Sequence, residues 1–236
     1  MDETGDFVVN SVCYLYDNAT SSPSSSSSSS SSSETKDAYL LCASGLMIGQ
    51  SLTLRTHLLC EFIGSQVGFV EDVKLASRIA HVVLLGNNAN LLREPFQRIR
   101  KDEKELAATM TCVENLDLAL SSILQTVPVT IIPGATDATS SLIPQQPLHS
   151  SLMPRCLQYS SLECATNPYS GEFNGKVYLM TAGQNIQDLQ RQVDASISTI
   201  DLMEWTLRWG CLFPTNPNTC RRYHPYHPYY LITHLS

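Results

Sequence analysis

Short apolar runs alternate with longer stretches of helical period through the middle of the chain. Mainly apolar runs, typical of buried strands, lie at 38–44, 79–85, 127–132 and 176–181. Apolar side chains at helical spacing predict helices over 51–63, 102–126, 186–193 and 199–209. Strands and helices in alternation are typical of an α/β fold.

Two of these helices carry local signals at their ends. In the first, Leu54, Leu58 and Leu59 form an apolar stripe, and Gly64 ends the helix. The last opens with Ser198-x-x-Asp201, which resembles a capping box.

The ends of the chain differ in composition from its middle. Residues 1–19 hold one or two strand-like runs, too few to fold alone. Residues 20–37 include ten consecutive serines, and such a run cannot bury apolar surface. A flexible linker is therefore predicted there, with a phosphorylated regulatory segment as the alternative. Residues 38–219 are expected to form the main domain, and 220–236 a divergent, disordered tail.

Charge and cysteine content narrow the possible functions. The net charge is −7 and the pI is about 5.3, which argues against charge-driven binding of nucleic acid by this chain alone. Membership of a complex that binds DNA through other subunits stays open. Eight scattered cysteines without a C-x-x-C pair predict reduced thiols in an intracellular protein. No apolar segment is long enough to predict a membrane span.

Glycine-containing polar loops follow three of the predicted strands. They read Ser44-Gly45-Leu46-Met47, Gly86-Asn87-Asn88-Ala89-Asn90 and Gly134-Ala135-Thr136-Asp137. In order, they resemble the Ser-Asp-x-His, Gly-Asp-x-x-Asp and Gly-Asn-His-Asp loops of calcineurin-like metallophosphoesterases. A fourth, histidine-bearing loop of that family would fall at 181–183, which contains no histidine. The resemblance implies a calcineurin-like α/β sandwich.

The resemblance also implies that the catalytic site has been emptied. A two-metal site needs carboxylates and imidazoles that hold cations roughly 3.5–4 Å apart. The corresponding positions here are Gly45, Met47, Asn87, Asn90, Ala135, Thr136 and Asp137. One remaining carboxylate cannot hold two divalent ions, so we expect no catalytic residue, bound metal or cofactor. Because strand–glycine–polar turns are common in α/β domains, each loop alone is weak evidence. For Asp137 we expect hydrogen bonds to loop amides rather than a metal.

A second set of motifs makes the resemblance more specific. The loop Pro144-Gln145-Gln146-Pro147-Leu148-His149 and the stretches at 166–169, 183–185, 204–208 and 214–219 resemble the regulatory B-subunit family of replicative DNA polymerases. The likeness is strongest to its polymerase delta branch, covers roughly 39–219 and then stops. His149 is either part of that family loop or a histidine fixed by local hydrogen bonds.

This family resemblance implies a non-catalytic accessory subunit in the nucleus. Such subunits pair an inactive phosphoesterase domain with an oligonucleotide-binding (OB) barrel, and residues 1–19 resemble the end of that barrel. The implied partners are the C-terminal metal-binding domain of the polymerase catalytic subunit and a third accessory subunit, with DNA reached only through the complex. No membrane contact is expected.

Three alternatives remain at this point. The chain could be a divergent metal-dependent phosphoesterase or nuclease that uses Asp137 and His149. It could also be a truncated, non-functional product. In the tail, Cys220, His224 and His227 offer three possible zinc ligands, although their spacing is unusual and no fourth ligand is evident. A disordered aromatic tail is the preferred interpretation.

Overall fold

Five strands form one sheet in the part of the chain that the computed structural model describes, namely residues 13–14, 38–91, 103–140 and 142–215. In chain order the strands are β1 (Cys13–Tyr14), β2 (Tyr39–Ala43), β3 (Ile79–Leu85), β4 (Val129–Ile132) and β5 (Leu162–Cys164). They are also adjacent in that order. β2 to β5 are parallel, whereas β1 is antiparallel to β2.

A separate hairpin and five helices complete the described fold. The hairpin consists of β6 (Tyr169–Phe173) and β7 (Lys176–Met180). The helices are α1 (Leu54–Ile63), α2 (Val70–Ala76), α3 (Glu103–Leu124), α4 (Gln184–Gln190) and α5 (Thr199–Arg208). Two single 3₁₀ turns lie at Ser150–Leu152 and Cys156–Gln158.

One face of the sheet packs against helices. On α3 the side chains of Val113, Leu116, Leu120 and Ile123 recur at helical spacing and are buried against β3 and β4. Each fully buried aliphatic side chain of this kind contributes about 1.5–3 kcal/mol. Met110, on the same predicted stripe, is instead 51% exposed.

The opposite face carries the hairpin and a row of polar side chains. Thr130, which is fully buried on β4, donates to Glu163 Oε2 at 3.0 Å, and its hydroxyl lies 2.8 Å from His81 Nε2. Tyr169 of β6 donates its hydroxyl to Glu163 Oε1 at 2.8 Å. Burial and the adjacent Glu163 carboxylate raise the pKa of Tyr169 to about 12, which keeps this hydroxyl a donor at neutral pH. The hairpin is therefore tied to the sheet by a hydrogen bond as well as by apolar contact.

The predicted apolar stripe of α1 is wrong in part. Leu54 is 73% and Leu58 44% exposed, while Thr56 and Ile63 are buried. Apolar side chains lie on several sides of this helix, so spacing alone did not identify the face that contacts α3. Its carboxyl end is as predicted, because Gly64 caps it through its N–H to Cys60 O at 2.9 Å. The helix begins at Leu54 rather than at position 51, after the cap residue Thr53.

The broad fold prediction is confirmed as a mixed α/β structure with a mostly parallel sheet. Within the described residues no helix is long and apolar enough to cross a membrane. The six cysteine side chains described, at 42, 60, 112, 156, 164 and 211, are all free thiols. The serine run, the divergent tail with Cys220, His224 and His227, and most of residues 1–19 lie outside the described residues.

Candidate functional site

The three motif loops meet at the carboxyl edge of β2, β3 and β4. The loops after β2 and β3 continue the strand pairing: Met47 N–H donates to Asn87 O at 3.0 Å and Ile48 N–H to Asn88 O at 2.9 Å. Asn90 N–H then donates back to Ile48 O at 2.9 Å. Because parallel strands end on the same side of a sheet, the sequence motifs at 44–47, 86–90 and 134–137 are brought together.

Close backbone contact fills the space between the loops after β3 and β4. A Cβ atom added to Gly134 would lie 2.3 Å from Asn87 N and 2.8 Å from Asn87 Oδ1. A Cβ atom added to Gly86 would lie 2.4 Å from Ala182 Cβ, in the loop after β7. The loops after β3, β4 and β7 therefore touch, and only glycine fits at positions 86 and 134.

Asp137 lies at the centre of these loops and is 1% exposed. Its Oδ1 accepts from Ala89 N–H at 2.8 Å, and its Oδ2 accepts from Gly134 N–H at 2.7 Å and from Asn88 Nδ2 at 3.1 Å. The one carboxylate left from the predicted motifs thus bonds to loop amides from two different loops.

Burial dominates the electrostatics of this carboxyl group. Desolvation raises the pKa of Asp137 above its ordinary value, and the hydrogen bonds from Ala89, Gly134 and Asn88 act in the opposite direction. A buried acid whose oxygens already accept three hydrogen bonds has little capacity left to coordinate an ion. Through these hydrogen bonds Asp137 holds the loops after β3 and β4 together.

The other motif positions that we predicted to be emptied carry no charge. Thr136 donates its N–H and its hydroxyl to Asn87 Oδ1, each at 3.4 Å. The side-chain oxygens of Asn88 and Asn90 are buried and have no hydrogen-bond partner among the described atoms. Ala135 is exposed, whereas Gly45 and Met47 lie in the loop after β2. Among the described residues no group of three or more His, Cys, Asp or Glu side chains could hold a metal ion.

A buried amide network connects the second set of motifs. Gln145, 1% exposed, donates Nε2 to Gly134 O at 3.1 Å and accepts at Oε1 from Asn167 Nδ2 and Gln184 Nε2, both at 2.8 Å. Asn167 Nδ2 also donates to Gln184 Oε1 at 2.7 Å, and Asn167 Oδ1 accepts from Ala182 N–H at 3.2 Å. The sequence indicates these motifs but not their contact, because side-chain amides far apart in sequence have no spacing rule.

The rest of the loop at 144–149 varies in burial. Leu148 is buried in the main core, Gln146 O accepts from Thr139 Oγ1 at 2.6 Å, and Pro144 and Pro147 are partly buried. His149 is exposed, and its Nδ1 accepts from Ser151 N–H at 3.2 Å and lies 2.7 Å from Ser151 Oγ. His149 is therefore held by local hydrogen bonds.

Comparison with known proteins agrees with this geometry. A model of the DNA polymerase alpha/epsilon B-subunit family matches residues 40–234. The chain belongs to this polymerase B-subunit family. The family prediction is thereby confirmed, and the match includes most of the segment 220–236 for which we predicted a divergent tail.

Relatives within the B-subunit family include several polymerase delta subunits. The DNA polymerase delta small subunit of Arabidopsis thaliana is 37% identical over 186 residues, which is 78% of this chain and 42% of that protein. The corresponding subunit of Oryza sativa is 32% identical over 81% of this chain and 44% of its own length. DNA polymerase delta subunit 2 of Drosophila melanogaster is 30% identical over 67% and 37%, respectively. The chain spans less than half the length of these curated relatives.

Proposed function

We propose that the chain is a non-catalytic accessory subunit of a replicative DNA polymerase, specifically polymerase delta. Family membership and the names of the relatives from plants and Drosophila support this role. In this proposal the protein stabilises a polymerase assembly through protein contacts and acts in the nucleus. DNA is reached only through other subunits, in keeping with a net charge of −7.

The state of Asp137 is the observation that carries the non-catalytic part of the proposal. This residue is the only acid in the three motif loops, and it accepts hydrogen bonds from Ala89, Gly134 and Asn88. A metal-activated hydroxide requires ligands with free lone pairs and an open coordination position. No carboxylate or imidazole for such a site is supplied by the other motif positions, namely Gly45, Met47, Asn87, Asn90, Ala135 and Thr136.

The same contacts support a scaffolding mechanism. Strand ends, loops and the amide network at Gln145 are joined by hydrogen bonds, so the domain offers a rigid surface to other proteins. In the proposal its main partner is the C-terminal domain of the polymerase catalytic subunit, with a third accessory subunit as a further partner. The strand at Cys13–Tyr14, paired with β2, is in this proposal the end of an OB-type barrel.

Co-expression with the cognate polymerase delta catalytic subunit tests the role. We expect the two chains to co-purify through size-exclusion chromatography at about 150 mM salt, close to physiological ionic strength. We expect deletion of the catalytic subunit's C-terminal domain to abolish the complex. A thermal melt of the isolated chain serves as the folding control. A cooperatively folded chain that does not bind the full-length catalytic subunit would refute the proposal.

A second measurement separates the scaffold from a divergent phosphoesterase. Calorimetric titration with Mn²⁺ and hydrolysis of bis-p-nitrophenyl phosphate are measured on the wild type and on Asp137→Asn. The scaffold proposal predicts no saturable metal binding and no turnover above the buffer rate in either protein. Turnover by the wild type that is lost in Asp137→Asn would establish the enzymatic alternative.

A further inference from the structure

The outer edge of β5 is unpaired within the part of the chain that the structure describes. Val129 N–H donates to Ser161 O at 3.0 Å and Ala165 N–H donates to Ile131 O at 2.9 Å, so Ser161 and Ala165 face β4. Backbone groups of alternate residues in a parallel strand point to opposite sides. The backbone groups of the intervening residues Leu162 and Cys164 therefore point away from the sheet.

Three of these outward backbone groups have no hydrogen-bond partner among the described residues. Leu162 N–H makes a long bond of 3.4 Å to Tyr159 O. Leu162 C=O and the N–H and C=O of Cys164 have none. Unpaired donors and acceptors along a strand edge match the backbone of another extended segment.

An apolar groove lies beside this edge on the helix-facing side of the sheet. It has a volume of about 260 Å³, and the side chains of Met153, Leu157, Tyr159, Leu162 and Cys164 line it. Leu157 is 60% exposed at its rim. The groove has room for one bulky aliphatic side chain of a strand added beside β5.

The opposite side of the same edge is acidic. Glu163 is exposed there, between the two groove-lining residues of β5. Its oxygens accept from Thr130 and Tyr169, and no cation pairs with it within the described residues. A cross-strand neighbour with a positive charge would complement Glu163, because side chains directly opposite each other in a sheet lie about 5 Å apart.

We propose that the β5 edge binds an extended peptide segment of a partner protein. The segment adds one strand to the sheet, bonds to the free backbone groups of Leu162 and Cys164, and carries an apolar–basic–apolar pattern. One of its apolar side chains enters the groove beside Leu157, and its basic side chain faces Glu163. This interaction surface is separate from the emptied strand-end loops and does not depend on the identity of the polymerase.

The probe is the peptide acetyl-Ser-Leu-Lys-Val-Ser-amide, and the matched control peptide has Glu in place of Lys. Binding is read from the rate at which iodoacetamide alkylates Cys164 in the full chain, with Cys211, which is partly exposed and does not line the groove, as internal reference. We expect saturable slowing of Cys164 alkylation by about fivefold or more with the lysine peptide and less than about twofold with the glutamate peptide. Equal slowing by both peptides, or none by either, would overturn the proposal.

Two variants test the backbone contact through the anisotropy of a fluorescein-labelled lysine peptide. Cys164→Pro removes the outward N–H while the N–H groups that face β4 are kept, and Cys164→Val is its control. We expect the proline variant to bind about fivefold more weakly than the valine variant, in line with the loss of one hydrogen bond. Equal affinities, with both variants folded by circular dichroism, would contradict strand addition.

A third experiment measures Cys164 alkylation without peptide and tests whether the β5 edge is accessible in the isolated protein. If Cys164 of the peptide-free chain is as slow to react as Cys156 at every protein concentration, the chain itself covers the edge. If protection appears only as protein concentration rises, a second copy covers it. Either result would overturn the assignment of this edge to a partner's peptide.

Discussion

Two buried aspartates in different regions of the molecule both hold neighbouring backbone segments in place by accepting hydrogen bonds from N–H groups. Asp137 lies in a loop with catalytic-motif spacing, and Asp117 lies in the middle of α3, away from any motif. Asp117 is 2% exposed and accepts from Arg155 N–H at 3.0 Å and Cys156 N–H at 3.1 Å, which fixes the second 3₁₀ turn on the helix. Asp137 fixes the strand-end loops in the same way, with one further bond from a side-chain amide. The contacts of Asp137 are thus those of an ordinary structural carboxylate.

Removal of the Asp137 carboxylate gives the largest expected effect. Asp137→Ala leaves Ala89 N–H, Gly134 N–H and Asn88 Nδ2 buried without their acceptor, so we expect a loss of about 3–5 kcal/mol in the free energy of unfolding. Urea denaturation followed by circular dichroism measures it. A loss in the free energy of unfolding below about 1 kcal/mol would show that Asp137 does not hold the loops together.

The corresponding change at Asp117 is expected to have a smaller effect. Asp117→Ala removes the acceptor of two backbone N–H groups, and we expect a loss of about 2–3 kcal/mol. Both aspartates are measured in the same urea series, and Asp194→Ala on the exposed surface is the control. If Asp117→Ala lowers the free energy of unfolding by more than Asp137→Ala does, the number of hydrogen bonds lost does not determine the size of the destabilisation.

Return of acids to the motif positions sharpens the comparison further. We expect the double variant Asn87→Asp and Asn90→Asp to lose about 1–2 kcal/mol, because two new carboxylates lie near the buried Asp137. It should still bind no Mn²⁺ in calorimetry, since the other motif positions, Gly45, Met47, Ala135 and Thr136, supply no carboxylate or imidazole. Stoichiometric binding of two ions would mean that the loops can open.

The pH dependence of stability provides the smallest effect. Because desolvation raises the pKa of Asp137 above its ordinary value of 3.8, the folded state binds this proton more tightly than the unfolded state. The contribution to stability is then fully present below pH 3.8 and is lost as pH rises through the folded-state pKa. Relative to Asp137→Asn, which does not titrate, the wild type should become less stable in urea titrations from about pH 4 to about pH 7. The opposite slope would show that the loop amides outweigh desolvation.

The strands that position the site could be predicted, since β2, β3 and β4 are apolar runs that end at glycine-containing turns. Other elements carry weaker local signals. The cap residue before α2, Phe69, has no side-chain oxygen, and Asp72 Oδ2 accepts from Phe69 N–H at 2.8 Å instead. β5 has only three residues, too few for a periodic pattern to appear. Contacts with neighbouring strands and helices stabilise these two elements, and such contacts leave no local pattern in the sequence.

The site itself was predictable in position but not in its internal contacts. The sequence placed Asn87 and Asp137 in loops that directly follow predicted strands. It could not indicate that Gln145, Asn167 and Gln184 bond to one another, because they lie on three separate segments. The burial of Thr56 rather than Leu58 on α1 has the same origin, since the packing partner decides which face is covered.

The contact of Gly86, Gly134 and Ala182 has an evolutionary consequence. Any descendant that regained acidic side chains in the motif loops one mutation at a time would still find the backbone of those loops in van der Waals contact. The third of these residues belongs to the loop after the hairpin, so a side chain at position 86 would collide with that loop as well. Point mutations at Gly86 or Gly134 would therefore disturb several loops at once, and we expect both glycines to persist in descendants of this chain.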